Sequence, residues 1–328
     1  MKIIVPLAGK GTRLLPLTKR VPKPLVRVAG RPVMDYVMDT VAGFDIEELI
    51  VITGHLKEDV EHYIRAHYHI PAKFVEQRTL DGTAGAINLA RPWVNGPVLI
   101  IFVDTLFDAD LSIIRTSNAH GILWAKEVED YRRFGVIVTD REGYMTRIVE
   151  KPDTPISRLA NIGLYYIRDW RTLFDGIAKV LTEPAGKGGE YYLTDAFQYM
   201  VDQGRRLLTA NVGGWYDCGK VDTLLETNEH LLKAGRALAP PASPGVVIQA
   251  PVRVEPGVTV RNATIGPNVT IEAGSVIEGS TLRHALLGRN VRVVGSTVER
   301  SVIGDDQVVQ NRVLRDSVMD GGEVAVAK

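Results

Sequence analysis

The chain has 328 residues, long enough for two domains and a large core. Lys+Arg and Asp+Glu are 39 each, a balance that argues against a dedicated nucleic-acid binder and points any local cluster of charge at a small ligand. The single cysteine, Cys218, excludes an intrachain disulfide and suggests a reducing, cytoplasmic setting. No apolar run approaches the ~20 residues of a membrane span, and Met1 leading straight into an apolar strand predicts no signal peptide.

Ile3 to Val5 reads as a buried strand, followed by a loop carrying Gly9 and Gly11, then Thr12, Arg13 and Pro22-Lys23-Pro24-Leu25. Eight basic residues (Lys2, Lys10, Arg13, Lys19, Arg20, Lys23, Arg27 and Arg31) precede the first acid, Asp35. A strand emptying into a glycine loop exposes backbone N–H groups that can cradle phosphate oxygens, with cations close by. Two familiar phosphate loops do not fit. The dinucleotide fingerprint needs a third glycine where Leu14 stands, and the near P-loop from Gly214 to Lys220 ends in Val221 rather than a hydroxyl residue.

Further elements follow in order. Helices are expected over Val33 to Val41, Lys57 to Ala66 and Gly82 to Ala90, the last led by Asp81. Strands are expected over Glu48 to Thr53, Lys73 to Val75 and Val98 to Val103. The last is a near-continuous apolar run, as in a strand buried on both faces, and the alternation argues a parallel sheet covered on both sides. From about 120 to 235 the pattern is mixed. Strands are expected at Gly121 to Ala125, Gly135 to Val138, Arg147 to Val149 and Gly163 to Ile167, and helices at Trp170 to Leu181, Leu193 to Gln203 and Val221 to Ala234.

The segment Ala239-Pro240-Pro241-Ala242-Ser243-Pro244 marks a boundary. Beyond it there is no Phe, Trp or Tyr, and aliphatics recur about every six residues, as in Ile265-Gly266-Pro267-Asn268-Val269 and Leu287-Gly288-Arg289-Asn290-Val291. That is a solenoid period, imperfect around Arg283 and His284. The chain therefore divides into residues 1–238 and 239–328.

Gly9-Lys10-Gly11-Thr12-Arg13-Leu14-Leu15-Pro16-Leu17-Thr18, with Pro22-Lys23-Pro24-Leu25 and Gly30-Arg31-Pro32, resembles the signature of the sugar-1-phosphate nucleotidyltransferases, and the likeness runs to about residue 235. It implies an α/β, Rossmann-like mixed-sheet catalytic domain. The C-terminal repeat resembles the left-handed parallel β-helix that follows this domain in many members. It implies transfer of a nucleotidyl group from a nucleoside triphosphate to a sugar 1-phosphate, with release of pyrophosphate and with Mg2+ as cofactor. By resemblance, Leu7, Ala8, Gly9, Gly11, Thr12 and Arg13 hold the nucleotide, and Gln77 and Gly82 flank the loop that meets the base. Asp104 and Asp217 are the metal-binding carboxylates, though Val103 stands where glycine is usual and Lys220 where threonine is more common. Gly135, Glu150, Lys151 and Asn161 hold the sugar phosphate, and Arg13, Lys23 and Lys151 supply the catalytic charge.

Glu190 is expected to cap the helix beginning nearby, and Cys218 to be a small buried residue. An amide at position 77 suits the edge of uracil or thymine, and a carboxylate at Glu76 would suit guanine; strand alternation lets only one face the site. UTP or dTTP with glucose 1-phosphate is the favoured substrate pair. The alternatives are a GTP-dependent mannose-1-phosphate guanylyltransferase, suggested by Gly82-Thr83-Ala84-Gly85-Ala86, a non-catalytic regulatory subunit, and an added acyltransferase activity of the β-helix, whose only histidine is His284. The β-helix is expected to join subunits into a homo-oligomer; neither nucleic acid nor membrane is expected as a partner.

Overall fold

The computed structural model describes residues 1–327. Two compact units are present. The first comprises Met1–Gly9, Asp39–Val103 and Phe107–Trp215; the second comprises Lys10–Met38, Asp104–Leu106 and everything from Tyr216 on.

The first unit is built on one mixed sheet. Its strands are β1 (Lys2–Pro6), β2 (Glu48–Thr53), β3 (Ala72–Glu76), β4 (Val98–Ile101), β5 (Gly121–Glu127), β6 (Gly135–Thr139), β7 (Met145–Glu150), β8 (Leu159–Ile167) and β9 (Leu207–Asn211). The order is β7-β6-β8-β4-β1-β2-β3, with β5 pairing both β8 and β9. Strand β1 lies parallel between β4 and β2, Lys2 facing Val98 on one side and Glu48 on the other. Ile3, Ile4, Leu49, Ile50, Leu99 and Ile100 are wholly buried, which is why these strands read as unbroken apolar runs. Strand β8 is antiparallel to β4, β5 and β6, which converts the parallel half into a mixed sheet.

Helix α1 (Val33–Val41) spans its expected residues. Helices α2 (Lys57–His67), α3 (Thr83–Asn88), α4 (Trp170–Val180) and α5 (Leu193–Asp202) also form where expected, with α3 shorter at both ends. One strand ends early. Strand β4 ends at Ile101 rather than at Val103: the Phe102 backbone N–H makes one more bond to β8, at the Gly163 carbonyl (2.8 Å), its ring meets Tyr165 edge-on, and the chain then turns at Val103 and Asp104. Asp104 thus lies in a turn beyond the strand, not at its last residue. Strand β9 has no counterpart in the sequence reading; Leu207-Leu208 is too brief an apolar signal to announce it.

The second unit contains α6 (Val221–Leu231) and a parallel β-helix. Three aliphatic ladders run along its coils: Ile265, Leu282, Val298 and Leu314; Ile271, Leu287, Ile303 and Met319; Val260, Ile277, Val293 and Val309. Each step along a ladder is sixteen or seventeen residues, so a coil is shorter than three full hexapeptides. The corners account for the difference. Asn268, His284, Arg300 and Asp316 recur at one corner with left-handed φ of 61°, 45°, 44° and 45°, turning the chain within a single residue. His284, an irregularity in the sequence, is therefore one rung of a corner column.

One buried side chain ties this unit together. Asn228 on α6 is fully buried, and its Oδ1 accepts from the Ala29 backbone N–H (3.1 Å) and the Thr270 hydroxyl (2.7 Å). Its Nδ2 donates to the Asn268 carbonyl (3.2 Å). Helix, basic loop and coil thus meet on one amide. Asn228→Ala strands those buried partners and is expected to lower unfolding free energy by about 3 kcal/mol. Urea denaturation measures this, and a loss below about 1 kcal/mol would show that the knot is not what holds the loop.

Candidate active site

Within the second unit, four of the candidate charged residues come together. The Lys23 Nζ lies 2.9 Å from an Asp104 carboxylate oxygen. Asp217 accepts the Gly219 backbone N–H on Oδ1 at 2.7 Å. Gly219 forms the floor: a Cβ there would stand 2.8 Å from the Asp217 Oδ1, 2.9 Å from the Arg13 Nη2 and 3.3 Å from the Lys23 Nζ. The Asp217 carboxylate and two cations therefore border one small space that only glycine leaves open, and Asp104 joins them through Lys23. The Cys218 backbone N–H donates to the Asp104 carbonyl (2.9 Å), fixing the segments that carry the two acids against one another.

The approach from the glycine loop is shaped by backbone. Gly11, at φ +63°, opens a short helical turn over Thr12–Leu14, and the Thr18 hydroxyl donates to its carbonyl (2.8 Å). A Cβ at Gly11 would come within 3.0 Å of the Thr18 side chain and 3.2 Å of Lys23. Thr12 and Arg13 are exposed. Burial pushes the Asp104 carboxyl up, but the Lys23 ammonium beside it, its hydrogen bond and the Arg13 charge outweigh that and hold it below its ordinary value. Cys218 is 2% exposed, and burial lifts its thiol to about 12, so it is an inert packing residue.

Most of the basic N-terminal run serves elsewhere. Lys2 pairs with Glu48 (3.1 Å), Lys19 with Glu323 (2.6 Å), Arg20 with Asp320 (3.6 Å), Arg27 with the buried Glu272 (2.9 Å) and Arg31 with Asp35 (3.8 Å). Among the described residues, Lys10 and Arg13 are the members of that run with no ion pair.

Within the first unit, Leu7 is held by its N–H on the Ile52 carbonyl (2.7 Å), and Ala8 packs on Gly54, where a Cβ would come within 2.7 Å of the Ala8 carbonyl oxygen. Gly9 has open space around it. The alternation at the end of β3 separates Glu76 from Gln77. Glu76 turns to Lys57 (2.9 Å), whereas Gln77 is 8% exposed and donates its amide to an Asp81 carboxylate oxygen (2.9 Å) and the Gly82 carbonyl (3.2 Å).

The sugar-phosphate candidates form a second cluster in the same unit. Gly135 faces Glu150 across the β6–β7 ladder, and Asn161 donates to the Gly135 carbonyl (2.8 Å) while accepting from the Tyr165 hydroxyl. A shift in the β8 register between Asn161 and Tyr165 aims the asparagine this way. A Cβ at Gly135 would collide with the Asn161 amide at 2.2 Å and the Glu150 carboxylate at 2.7 Å. The Thr194 hydroxyl donates to Glu150 (3.2 Å); it is a member of this cluster that sequence reasoning missed, although it lies in the family-like segment around Glu190. Burial raises the Glu150 carboxyl, only partly countered by the Lys151 charge and the Thr194 hydroxyl.

Lys151 sits at φ +45°, a strained conformation for a lysine, with its N–H on the Phe134 carbonyl (3.0 Å). Its Nζ lies 3.5 Å from the Tyr192 hydroxyl and 3.7 Å from Glu190. Glu190 therefore faces Lys151 and does not cap α5. The Leu193 N–H that opens that helix goes instead to the Thr83 hydroxyl (2.9 Å), which is nearer and already fixed at the start of α3. A cleft of about 490 Å³ between the β5 and β9 ends, lined by Lys126, Arg158 and Asn211, holds none of the residues above.

The fold and these clusters define a nucleotide-binding α/β enzyme. The family model described as nucleotidyl transferase matches residues 2–234, and the chain belongs to that family. It is similar to the bifunctional protein GlmU of Methanococcus aeolicus, at 30% identity over 95% of this chain and 78% of that protein. The UTP–glucose-1-phosphate uridylyltransferase AglF of Haloferax volcanii is 31% identical over 66% of this chain and 89% of its own length. Among solved structures, UDP-glucose pyrophosphorylase complexed with UDP-glucose superposes with a TM-score of 0.63 at 26% identity, covering 71% of this chain and 98% of that one. The protein is a sugar-1-phosphate nucleotidyltransferase by class. No helix among the described residues is long and apolar enough to cross a membrane.

The Lys23–Asp104 contact carries a pH signature. Because the folded chain holds the Asp104 carboxyl below its unfolded value, the contact stabilises the fold above the ordinary carboxylate range and is lost as pH falls through the folded value. Lys23→Met removes the main opposing charge, so burial drives that carboxyl upward. The drop in melting temperature relative to wild type is expected to be largest near neutral pH and to shrink toward pH ~3. A drop of the same size at every pH would show that the pair contributes no charge interaction.

Proposed function

We propose that the protein transfers a uridylyl or thymidylyl group from UTP or dTTP to glucose 1-phosphate and releases pyrophosphate. The observation that carries the base assignment is the state of Gln77. Both hydrogens of its amide go to acceptors, Asp81 and Gly82, so its oxygen is what remains for a base. An acceptor suits the N3–H of uracil or thymine; it would also meet the N1–H of guanine, so what weighs against guanine is the neighbouring acid. Glu76, the group that would have suited guanine, is turned onto Lys57. The names of the uridylyltransferase and UDP-glucose pyrophosphorylase relatives support the same reading.

The sugar phosphate is mostly dianionic at neutral pH, its second pKa being about 6, so it is a nucleophile without a general base. Catalysis is then positioning and charge neutralisation. Backbone N–H groups around Ala8, Gly9, Gly11 and Thr12 receive the triphosphate, and Leu7, its own N–H held by the Ile52 carbonyl, lines the nucleotide. Arg13 and Lys23 neutralise it, and Gln77 and Gly82 meet the base. Gly135, Glu150 and Asn161 receive sugar hydroxyls, and Lys151 steers the incoming phosphate.

Asp104 and Asp217 fit a magnesium ion. Both offer hard oxygen ligands, Asp217 beside the space at Gly219 and Asp104 on the Lys23 ammonium that borders it, and no cluster of three or more metal-binding side chains exists among the described residues. An ion held there would need water and phosphate oxygens to complete its shell, which is how magnesium commonly binds. When bound it would neutralise phosphate charge. We assign catalysis to residues 1–238 and a scaffold role to 239–328, and place the protein in the cytoplasm on its single cysteine.

A grid of UTP, dTTP, GTP, ATP and CTP against glucose, mannose and N-acetylglucosamine 1-phosphates, scored by magnesium-dependent pyrophosphate release, tests this. UTP or dTTP with glucose 1-phosphate is expected to lead, and Asp104→Asn and Asp217→Asn are each expected to lower that rate at least ~100-fold. A lead for GTP with mannose 1-phosphate would replace the pyrimidine reading with the guanylyl one. A folded but wholly inactive protein would favour a regulatory subunit.

We further propose that subunits associate through the β-helix. Val308 and Val313 are 55% and 65% exposed on its coils. The double variant Val308→Glu, Val313→Glu is expected to lower the mass seen by light scattering; an unchanged mass would remove these two positions from the assembly.

A further inference from the structure

The base contact proposed for Gln77 depends on which end of its amide faces outward, and its surroundings decide that. The two groups beside the amide, the Asp81 carboxylate and the Gly82 carbonyl, are both acceptors. Reversing the amide would set its oxygen against two oxygens, so the nitrogen is confined to the inner side.

Asp81 is itself held in place. Its carbonyl accepts the Tyr191 N–H (2.7 Å), and its own N–H donates to the Thr79 carbonyl (3.0 Å). Its carboxylate lies over Gly85 of α3, where a Cβ would stand 2.0 Å from one oxygen and 2.5 Å from the other. Gly82, at φ +112°, is pressed on the Tyr191 backbone so closely that a Cβ would come within 2.4 Å of its carbonyl oxygen. The Gly82 carbonyl cannot turn away from Gln77 without moving this loop, and the backbone that carries the Asp81 carboxylate is fixed by the same contacts.

We propose that Asp81 is a positioning residue for base selection: by fixing the Gln77 amide with its oxygen outward, it makes the site accept bases with a donor at the centre of the Watson–Crick edge. This rests on the reading of Gln77 as the base contact. Uracil and thymine (N3–H) and guanine (N1–H) carry a donor at that position, whereas cytosine (N3) and adenine (N1) carry an acceptor. Asp81 thus excludes CTP and ATP without touching the base. Discrimination of this kind is large, because a mismatched base leaves buried groups unpaired.

Asp81→Asn is nearly isosteric and supplies a donor. The amide that this substitution introduces can donate to the Gln77 oxygen, and the reversed Gln77 amide then offers an N–H to the base. The test is the ratio of kcat/KM for UTP over CTP, with the sugar phosphate held fixed and both nucleotides run on one sample. Such a ratio is indifferent to how much of the sample is folded. Asp81→Asn is expected to lower it by about tenfold or more, chiefly through KM for CTP. Gly85→Ala, which displaces the Asp81 carboxylate from the other side, is expected to lower it in the same direction. Gln77→Ala separates the two layers of the argument. If Gln77→Ala collapses the ratio and both Asp81→Asn and Gly85→Ala leave it at the wild-type value, Gln77 meets the base but Asp81 does not orient it, and the inference falls. If Gln77→Ala itself leaves the ratio unchanged, the base contact lies elsewhere and both readings fall together.

Discussion

Holding cations close together, where they would otherwise repel, is the constraint on which the proposed phosphate site depends. Lys23 meets it through Asp104 at 2.9 Å, and Arg13 through a position beside Asp217 over the bare floor of Gly219. Each neighbouring element serves that arrangement. Gly11 takes a left-handed turn so that the loop clears Lys23 and Thr18. Pro22 and Pro24 bracket Lys23 in a short helical turn, limiting its backbone freedom. Asn228 then anchors the same loop through Ala29 to a coil of the β-helix. A carboxylate that neutralises an ammonium in the resting chain can give it up to a phosphate, provided another cation takes its place. Such an exchange would account for a lysine and an acid both being present at the site proposed for anions.

In the first unit the corresponding constraint is a pair of backbone staples. Tyr191 donates to the Asp81 carbonyl and accepts from the Ala84 N–H (2.9 Å), while Thr83 accepts the first N–H of α5. The base loop after β3 and the segment carrying Glu190 and Tyr192 are therefore one connected piece. Lys151, in its strained backbone conformation, leans on Tyr192 with its Nζ 4.8 Å from the ring centre. A change that loosened the base loop would be felt at the lysine as well. The proposed base contact and the proposed sugar-phosphate contact share this support, which gives a physical reason for Glu190 to be drawn away from the cap of α5.

The sequence made the fold legible where burial was continuous. Strands β1 and β2 and the helix Val33–Val41 announced themselves through apolar runs or helical period, and the coil through its recurring aliphatics. It was less legible where one contact overrode a pattern. Val98–Val103 has no internal sign that the chain turns at Val103, and a sixteen-residue coil cannot be told from a longer one when its corners are left-handed Asn, His and Arg. The candidate site was legible as a set of residues through family motifs, but not as an arrangement. Thr194 and Asp81 became visible only through the partners they hold, Glu150 and Gln77.

The eight cations at the N-terminus show why composition alone misleads about a ligand site. Read as a string, they look like a single basic patch for a polyphosphate. In the folded chain, Lys19, Arg20 and Arg27 are matched to Glu323, Asp320 and Glu272 of the β-helix. Glu272 is 5% exposed at its side chain, so its pairing with Arg27 is obligatory; an unpaired charge there would be costly. Lys19 and Glu323 are both largely exposed, and their pair contributes little to stability. The β-helix therefore neutralises three cations of the basic run, and Lys10 and Arg13 are left without an ion pair while Lys23 is held by Asp104. A neutral chain can in this way present a local positive site, since the acids that balance it are contributed by a distant stretch of sequence with a different architecture.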